Sequence, residues 1–119
     1  MEDSHSSPGD PQVSYQVSDT YATVRIGGPL VFPGAVAVSR AVKQVIEQQP
    51  PLVLLDLTGI ENVDATGVAV LVGVGGDLKS AGIQVRVIAA DPRIRHRLPY
   101  TLGLRKVFPT IEDALCHQP

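Results

Sequence analysis

The sequence predicts a single α/β domain with a mixed, mostly parallel β-sheet, and three observations lead to that fold class. Two short alternating runs around a polar turn are typical of an antiparallel hairpin. The nearly unbroken apolar run at residues 52–57 is typical of a strand that is buried on both faces of a sheet. Helical and strand patterns then alternate, which favours right-handed crossovers. The predicted element order is ββαβαβαβα.

The hairpin is predicted at residues 13–17 and 21–26, with Gly27-Gly28-Pro29 expected to end its second strand. A first helix should follow, since apolar residues recur at helical spacing and Pro50-Pro51 stops the pattern. The residues expected on the buried face of this helix are Ala35, Val38, Val42, Val45 and Ile46.

A second helix is predicted to begin after residues 52–57 and a polar connection. Asp64 is a suitable N-cap, because its carboxylate can accept hydrogen bonds from the first turn. The helix should run to about Ser80, with Gly82 as its C-cap signal. Its predicted inner face comprises Val68, Leu71, Val72, Gly75 and Leu78. The opposite face, which is small and carries one charge, comprises Thr66, Val70, Gly73 and Asp77.

The remaining sequence predicts two more strands and two short helices. A strand at residues 84–89 precedes Asp91-Pro92, an N-cap followed by a proline suited to the first helical position. Ile94 and Leu98 should face inward, and Pro99 should kink or break this helix before Gly103 ends it. Residues 104–108 are predicted as the last strand, and residues 110–113 resemble a capping box that opens a final helix through residue 115.

Composition excludes several classes of function. The chain has 119 residues and a formal net charge of -2, which gives no reason to expect nucleic-acid binding. No apolar run is long enough for a membrane span, and residues 1–11 form a polar tail without the features of a signal peptide. The predicted organisation is a disordered tail at residues 1–11 and a domain at 12–119, in the cytoplasm.

No catalytic or metal-binding constellation is visible in the sequence. The single cysteine, Cys116, excludes an internal disulfide, and the three histidines lack metal-ligand spacing. No phosphate-binding loop is present, so we expect no enzyme activity, no metal and no cofactor. The basic residues of segment 93–106 are interpreted as a solvated surface rather than an anion site: Arg93, Arg95, His96, Arg97, Arg105 and Lys106.

The junction Asp64-Ala65-Thr66-Gly67 resembles the pattern of the STAS family, named for sulphate transporters and anti-sigma factor antagonists. In that family a buried strand is followed by Asp-Ser/Thr-Ser/Thr-Gly at the start of a helix. Ala81-Gly82 before the next strand and Asp91-Pro92 at a helix start fit the same pattern. The resemblance extends over roughly residues 13–115 and implies the family's fold.

Two departures from the antagonist pattern affect what the resemblance implies. The antagonists typically carry their phosphorylated hydroxyl directly after the aspartate, where this chain has Ala65, so that Thr66 is the remaining candidate. Many antagonists also have Gly-Glu-Leu-Asp where this chain has Gly28-Pro29-Leu30-Val31. That stretch and residues 107–114 look like STAS domains of SulP-type anion transporters.

The resemblance therefore implies two functions. The first is an anti-sigma factor antagonist, which binds an anti-sigma factor of the serine/threonine kinase type and can be switched at Thr66. The alternative is a regulatory domain of a SulP-type anion transporter. We expect no nucleic-acid partner and no membrane insertion, and weak nucleotide binding stays open. The residues expected to contact the partner are Asp64, Ala65, Thr66, Gly67, Val70, Gly73 and Asp77.

Overall fold

Five strands and four helices make up the part of the chain that the computed structural model describes, residues 11–96 and 107–116. Their order is the predicted ββαβαβαβα, and the α/β fold class is confirmed. The elements are β1 (Gln12–Val17), β2 (Ala22–Leu30), α1 (Val36–Glu47), β3 (Leu52–Val63), α2 (Ala65–Ser80), β4 (Gln84–Ile88), α3 (Pro92–Arg95), β5 (Val107–Phe108) and α4 (Ile111–Cys116).

The strands form one mixed sheet in the order β1-β2-β3-β4-β5. β1 and β2 pair in antiparallel orientation through a tight turn, in which the Ser18 backbone N–H donates to the Tyr21 carbonyl at 2.9 Å. The pairs β2–β3, β3–β4 and β4–β5 are parallel, as crossovers through helices require. β1 is consequently an edge strand.

Strands β2 and β3 are longer than predicted. The expectations that Gly27-Gly28-Pro29 ends β2 and that a polar connection follows residue 57 were wrong. The two strands continue side by side through two register irregularities until Leu30 pairs with Val63. Val63 and Leu30 are both buried, so apolar anchors at the strand ends outweigh the polar residues between them. Gly28 adopts a φ of 74°, a conformation suited to glycine, at one of these irregularities.

The main core lies between the sheet and the pair α1 and α2. In α1 the predicted inner face is confirmed, since Val38, Val42 and Val45 are buried. In α2 the prediction was partly wrong: Leu71 and Leu78 are buried, but Val74 joins them whereas Val68 and Val72 are only half-buried. Because α2 carries small apolar residues all around, its sequence pattern defines the buried stripe poorly.

The helix ends of α2 follow the sequence signals. Asp64 caps its start, and Gly82 follows its end with a φ of 79°. The backbone N–H of Ile83 then donates to the Leu78 carbonyl at 3.0 Å, which satisfies one of the last carbonyl groups of the helix.

A second, smaller core lies on the opposite face of the sheet, where Ala114 of α4 packs with Leu54 of β3 and Ile88 of β4. The buried Arg86 donates through Nη1 to the Ala114 carbonyl and so ties α4 to β4. The predicted caps of the short helices are present. The Asp91 side chain accepts from the Arg93 N–H, and the Thr110 hydroxyl accepts from the Asp113 N–H at 3.1 Å.

Several expectations lie outside the described residues. They concern the tail up to residue 10, the kink at Pro99, the inward position of Leu98, the terminator Gly103 and the start of the last strand before residue 107. Pro11, at the end of the predicted tail, is buried. None of the helices in the described ranges combines the length and apolar character that crossing a membrane requires.

Candidate functional site

The junction between β3 and α2 is organised by the side chain of Asp64. Its Oδ1 accepts a hydrogen bond from the Gly67 N–H at 2.8 Å, and its Oδ2 accepts one from the Phe32 N–H at 3.1 Å. The N-cap role predicted for Asp64 is thus confirmed. The same carboxylate also holds the loop between β2 and α1.

Electrostatics at this junction favour the ionised form of Asp64. Hydrogen bonds from the backbone N–H groups of Gly67 and then Phe32 lower the pKa of the Asp64 carboxyl below its ordinary value of 3.8. The carboxylate therefore carries a full negative charge at neutral pH, directly at the amino terminus of α2, where the helix dipole favours it.

Gly67 is a packing residue of the junction. It is buried, and a Cβ at this position would lie 2.1 Å from the Leu30 carbonyl oxygen and 2.6 Å from Cγ2 of Val63. The glycine allows the first turn of α2 to approach the ends of β2 and β3. Its side of the helix faces the core, so Gly67 does not share the open surface of the other predicted site residues.

A shallow groove of about 510 Å³ lies between α1 and α2 and brings the other predicted residues together. Thr66 and Val70 are half-buried in it, and Gly73 and Asp77 are exposed farther along α2. The lining comprises Ser39, Ala65, Thr66, Ala69, Val70, Gly73 and Asp77. The predicted outer face of α2 is therefore one continuous surface, which we call the α1–α2 groove.

The chemistry of the α1–α2 groove suits protein contact better than catalysis. Its side chains are small, and Asp77 is the sole charged residue that lines it. A Cβ at Gly73 would meet nothing within 4 Å, so the glycine leaves open space there. A small and largely uncharged surface loses little hydration when a partner covers it.

Thr66 lies in the first turn of α2, two residues after the cap, and its hydroxyl is the one hydroxyl of the Asp64-Ala65-Thr66-Gly67 junction. Ser39 of α1 supplies a second hydroxyl to the groove. Sequence reasoning missed Ser39, because nothing in the spacing of α1 indicates which of its polar residues faces α2.

An exposed apolar rim at the start of α1 was also missed. Phe32 is 67% exposed and Val36 is 50% exposed, although both are large apolar residues. The Phe32 N–H is bound to Asp64, which places this rim beside the amino terminus of α2. The sequence shows only a run of apolar residues here, and no pattern in it distinguishes the exposed ones.

The structure describes only part of the basic segment, since Arg97, Arg105 and Lys106 lie outside the described residues. Arg93 makes an ion pair with Asp91 at 3.0 Å, and this pairing, together with the Arg93 N–H, lowers the pKa of the Asp91 carboxyl. His96 is exposed. Across residues 11–96 and 107–116, no group of three His, Cys, Asp or Glu side chains is arranged to hold a metal ion.

Comparison with known proteins points to one family. The STAS domain model matches residues 12–114. An anti-sigma factor antagonist from Mycobacterium paratuberculosis has a similar structure, with a TM-score of 0.75, 27% identity, and coverage of 93% of this chain and 96% of that one. Comparison with curated protein sequences gives no significant match.

More distant structures share the fold. The phosphorylated form of the Bacillus cell fate determinant SpoIIAA has a TM-score of 0.67 and 18% identity, over 88% of this chain and 96% of that chain. The murine anion transporter Solute Carrier 26 family member A9 has a TM-score of 0.69 and 19% identity, over 84% of this chain but only 18% of the transporter.

Proposed function

This chain belongs to the STAS domain family, and from that premise we propose that it acts as an anti-sigma factor antagonist in the cytoplasm. In this role it binds an anti-sigma factor of the serine/threonine kinase type and so releases a sigma factor. The observation that carries the proposal is the α1–α2 groove at the start of α2, in a fold whose similar structures include an anti-sigma factor antagonist at 27% identity.

The proposed docking surface is the α1–α2 groove together with the rim at Phe32 and Val36. Small residues along α2 permit close approach of a partner backbone, and the rim supplies exposed apolar area that a partner can cover. Large aromatic side chains frequently dominate binding energy at such interfaces. Ala65, Thr66, Val70, Gly73 and Asp77 are the proposed contact residues, and Asp64 and Gly67 hold the surface in place.

Thr66 is the proposed site of a phosphorylation switch. The free N–H groups and the dipole at the start of α2 tolerate an added phosphate, so the fold should persist. The phosphate adds about -1.5 to -2 charges to an otherwise nearly uncharged groove, which already has the Asp64 carboxylate beside it. Binding of the partner should therefore weaken after modification.

The proposal is tested with purified protein and a kinase-type anti-sigma factor encoded in the same genome. Gly73→Arg should abolish binding in isothermal titration calorimetry, because the arginine fills the open space of the groove. Gly76→Arg is the matched control, since Gly76 is also helical, exposed and free of Cβ contacts but does not line the groove. Equal affinity of both variants would refute the groove as the binding surface.

The second candidate function is regulation of a SulP-type anion transporter. Ala65 in place of the usual hydroxyl favours this alternative, because a transporter domain needs no phosphorylated residue at that position. Sequencing of the flanking gene region discriminates the two: membrane-spanning segments encoded upstream in the same reading frame favour the transporter, and a neighbouring gene for a kinase-like anti-sigma factor favours the antagonist.

A further inference from the structure

The outer edge of β1 has the features of a self-pairing strand. β1 lies at one end of the sheet order, and no strand of the described residues pairs with its outer side. Its sequence, QVSYQV, contains no charged residue and no proline. Natural proteins commonly protect such edges with lysine or proline, and the six residues of β1 include neither.

The register of the hairpin determines which backbone groups of β1 are free. Ser18 and Tyr21 form a hydrogen-bonded pair, and such pairs alternate with non-hydrogen-bonded ones along an antiparallel ladder. Even-numbered residues of β1 therefore direct their N–H and C=O groups toward β2. Odd-numbered residues direct these groups outward, away from the sheet: Val13, Tyr15 and Val17.

The same three residues share one face of the sheet. Val13 and Val17 pack against the main core, on the side of α1. Tyr15 lies between them in the strand, two residues from each, and so is on the same face. Tyr15 is 38% exposed and is one of the few large apolar side chains at the surface of the described residues. The free backbone groups thus occur on residues with apolar side chains, of which Tyr15 is the exposed one.

We propose that β1 pairs with β1 of a second copy of this chain, in antiparallel orientation about a two-fold axis at Tyr15. This register places Tyr15 opposite Tyr15 of the second copy, and Val13 opposite Val17. All outward N–H and C=O groups of the three residues are then paired, which forms six hydrogen bonds across the axis. A register shifted by two residues or more leaves some of these groups unpaired.

The charge and the shape of the surface around β1 are compatible with a second copy of this chain as the partner of the strand. The strand is uncharged, so no like charges face each other across the axis. A groove beside it is lined by Pro11, Val13, Ala37, Arg40, Ala41 and Gln44. The axis sets the two α1 helices antiparallel, and each helix carries exposed side chains of both signs, including Arg40 and Glu47.

The contact is small, which determines the affinity to be expected. The six residues of β1 and the α1 residues of the groove give roughly half of the 20–30 residues per partner found in a standard stable interface. We therefore expect a weak, reversible dimer rather than a permanent one. The α1–α2 groove lies on the other flank of α1, so the dimer presents two open copies of it.

The test is sedimentation equilibrium of the full chain from low to high micromolar concentration. We expect a concentration-dependent rise from the monomer mass of 12.6 kDa to twice that value. Tyr15→Lys should weaken self-association by about tenfold or more, since it removes apolar burial and sets two like charges opposite each other. Leu115→Lys is the control, because it replaces a large apolar side chain of similar exposure on α4, outside the proposed contact, and it should dimerise like the wild type.

A cysteine experiment tests the register independently of stability. In a Cys116→Ser background, which removes the one native thiol, Tyr15→Cys should form an intermolecular disulfide under mild oxidation. Paired Cα atoms at that position lie about 5.5 Å apart, within the range of about 4.4–6.8 Å that a disulfide spans. Val13→Cys should not form one, because its copies lie roughly 14 Å apart in this register.

Each outcome decides the proposal. A concentration-dependent dimer that cross-links through position 15 and is lost in Tyr15→Lys supports it. A monomer at every concentration overturns it. A dimer that cross-links through position 13 instead, or that is weakened equally by Tyr15→Lys and Leu115→Lys, also overturns it, since the contact would then lie elsewhere or in another register.

Discussion

Replacing glycine by alanine at three positions of α2 should change stability in opposite directions. Gly67 is in contact with the ends of β2 and β3, whereas an added Cβ at Gly73 or Gly76 meets nothing within 4 Å. The chemical change and the helix are the same in all three variants. Differences between them therefore report the space around each position.

The magnitude for Gly67→Ala follows from the contact distances. The new Cβ would lie 2.1 Å from the Leu30 carbonyl oxygen, and real Cβ atoms do not approach closer than 3.0 Å, so helix and strand must separate by about 0.9 Å. Overpacking of this kind costs about 1–3 kcal/mol, and a rigid backbone oxygen favours the upper end. The helix-propensity gain of alanine offsets up to about 1 kcal/mol, which leaves a net loss of about 2 kcal/mol.

For Gly73→Ala and Gly76→Ala only the propensity gain remains, up to about 1 kcal/mol each. A domain of this size changes its melting temperature by about 4–8 °C per kcal/mol, so Gly67→Ala should melt about 10 °C lower and the other two a few degrees higher. Urea titrations followed by circular dichroism provide the free energies, with an unchanged m value as the condition for comparing midpoints. A Gly67→Ala protein as stable as the wild type would refute the close approach of α2 to Leu30.

Three further predictions concern the cap, the switch and metal. Because the folded-state pKa of Asp64 lies below its unfolded value, the ionised carboxylate stabilises the fold at neutral pH, and this contribution is lost as pH falls through the lowered pKa. The difference in urea midpoint between wild type and Asp64→Asn should therefore be constant above about pH 5 and shrink toward pH 2, and a difference that grows in acid would contradict the assignment. Thr66→Asp should weaken anti-sigma factor binding in calorimetry while Thr66→Ala binds and resists release by the kinase and ATP; unchanged affinity of Thr66→Asp, or a phosphate mapped by mass spectrometry outside the junction, would exclude the switch. Thermal melts with and without a chelator should coincide, and a large drop with chelator would reveal a metal site that the geometry of the described residues does not show.

Local signals in the sequence predicted the helix ends well because each depends on a few neighbouring residues. Asp64 and Gly82 were identified as the cap and the terminator of α2, and both have the expected geometry. The residues of the groove on α2 also followed from helical spacing. Thr66, Val70, Gly73 and Asp77 are four or three residues apart and therefore share a face.

Features that depend on contacts between distant segments were not predictable in the same way. The extension of β3 to Val63 arises from pairing with Leu30, which no local pattern encodes. Ser39 enters the groove only because α1 packs beside α2. The rotation of α2 that buries Val74 is likewise determined by how the helix packs against the sheet, since α2 has apolar residues on several faces.

The two hydrogen bonds of Asp64 have a mechanical consequence. One carboxylate group binds backbone N–H groups that are 32 and 3 residues away in sequence, so it links the Phe32 loop to the first turn of α2. A charge or ligand that drew the carboxylate away from these N–H groups would loosen this link. An event at the first turn of α2 would then alter the position of an aromatic side chain that is 67% exposed on a different loop.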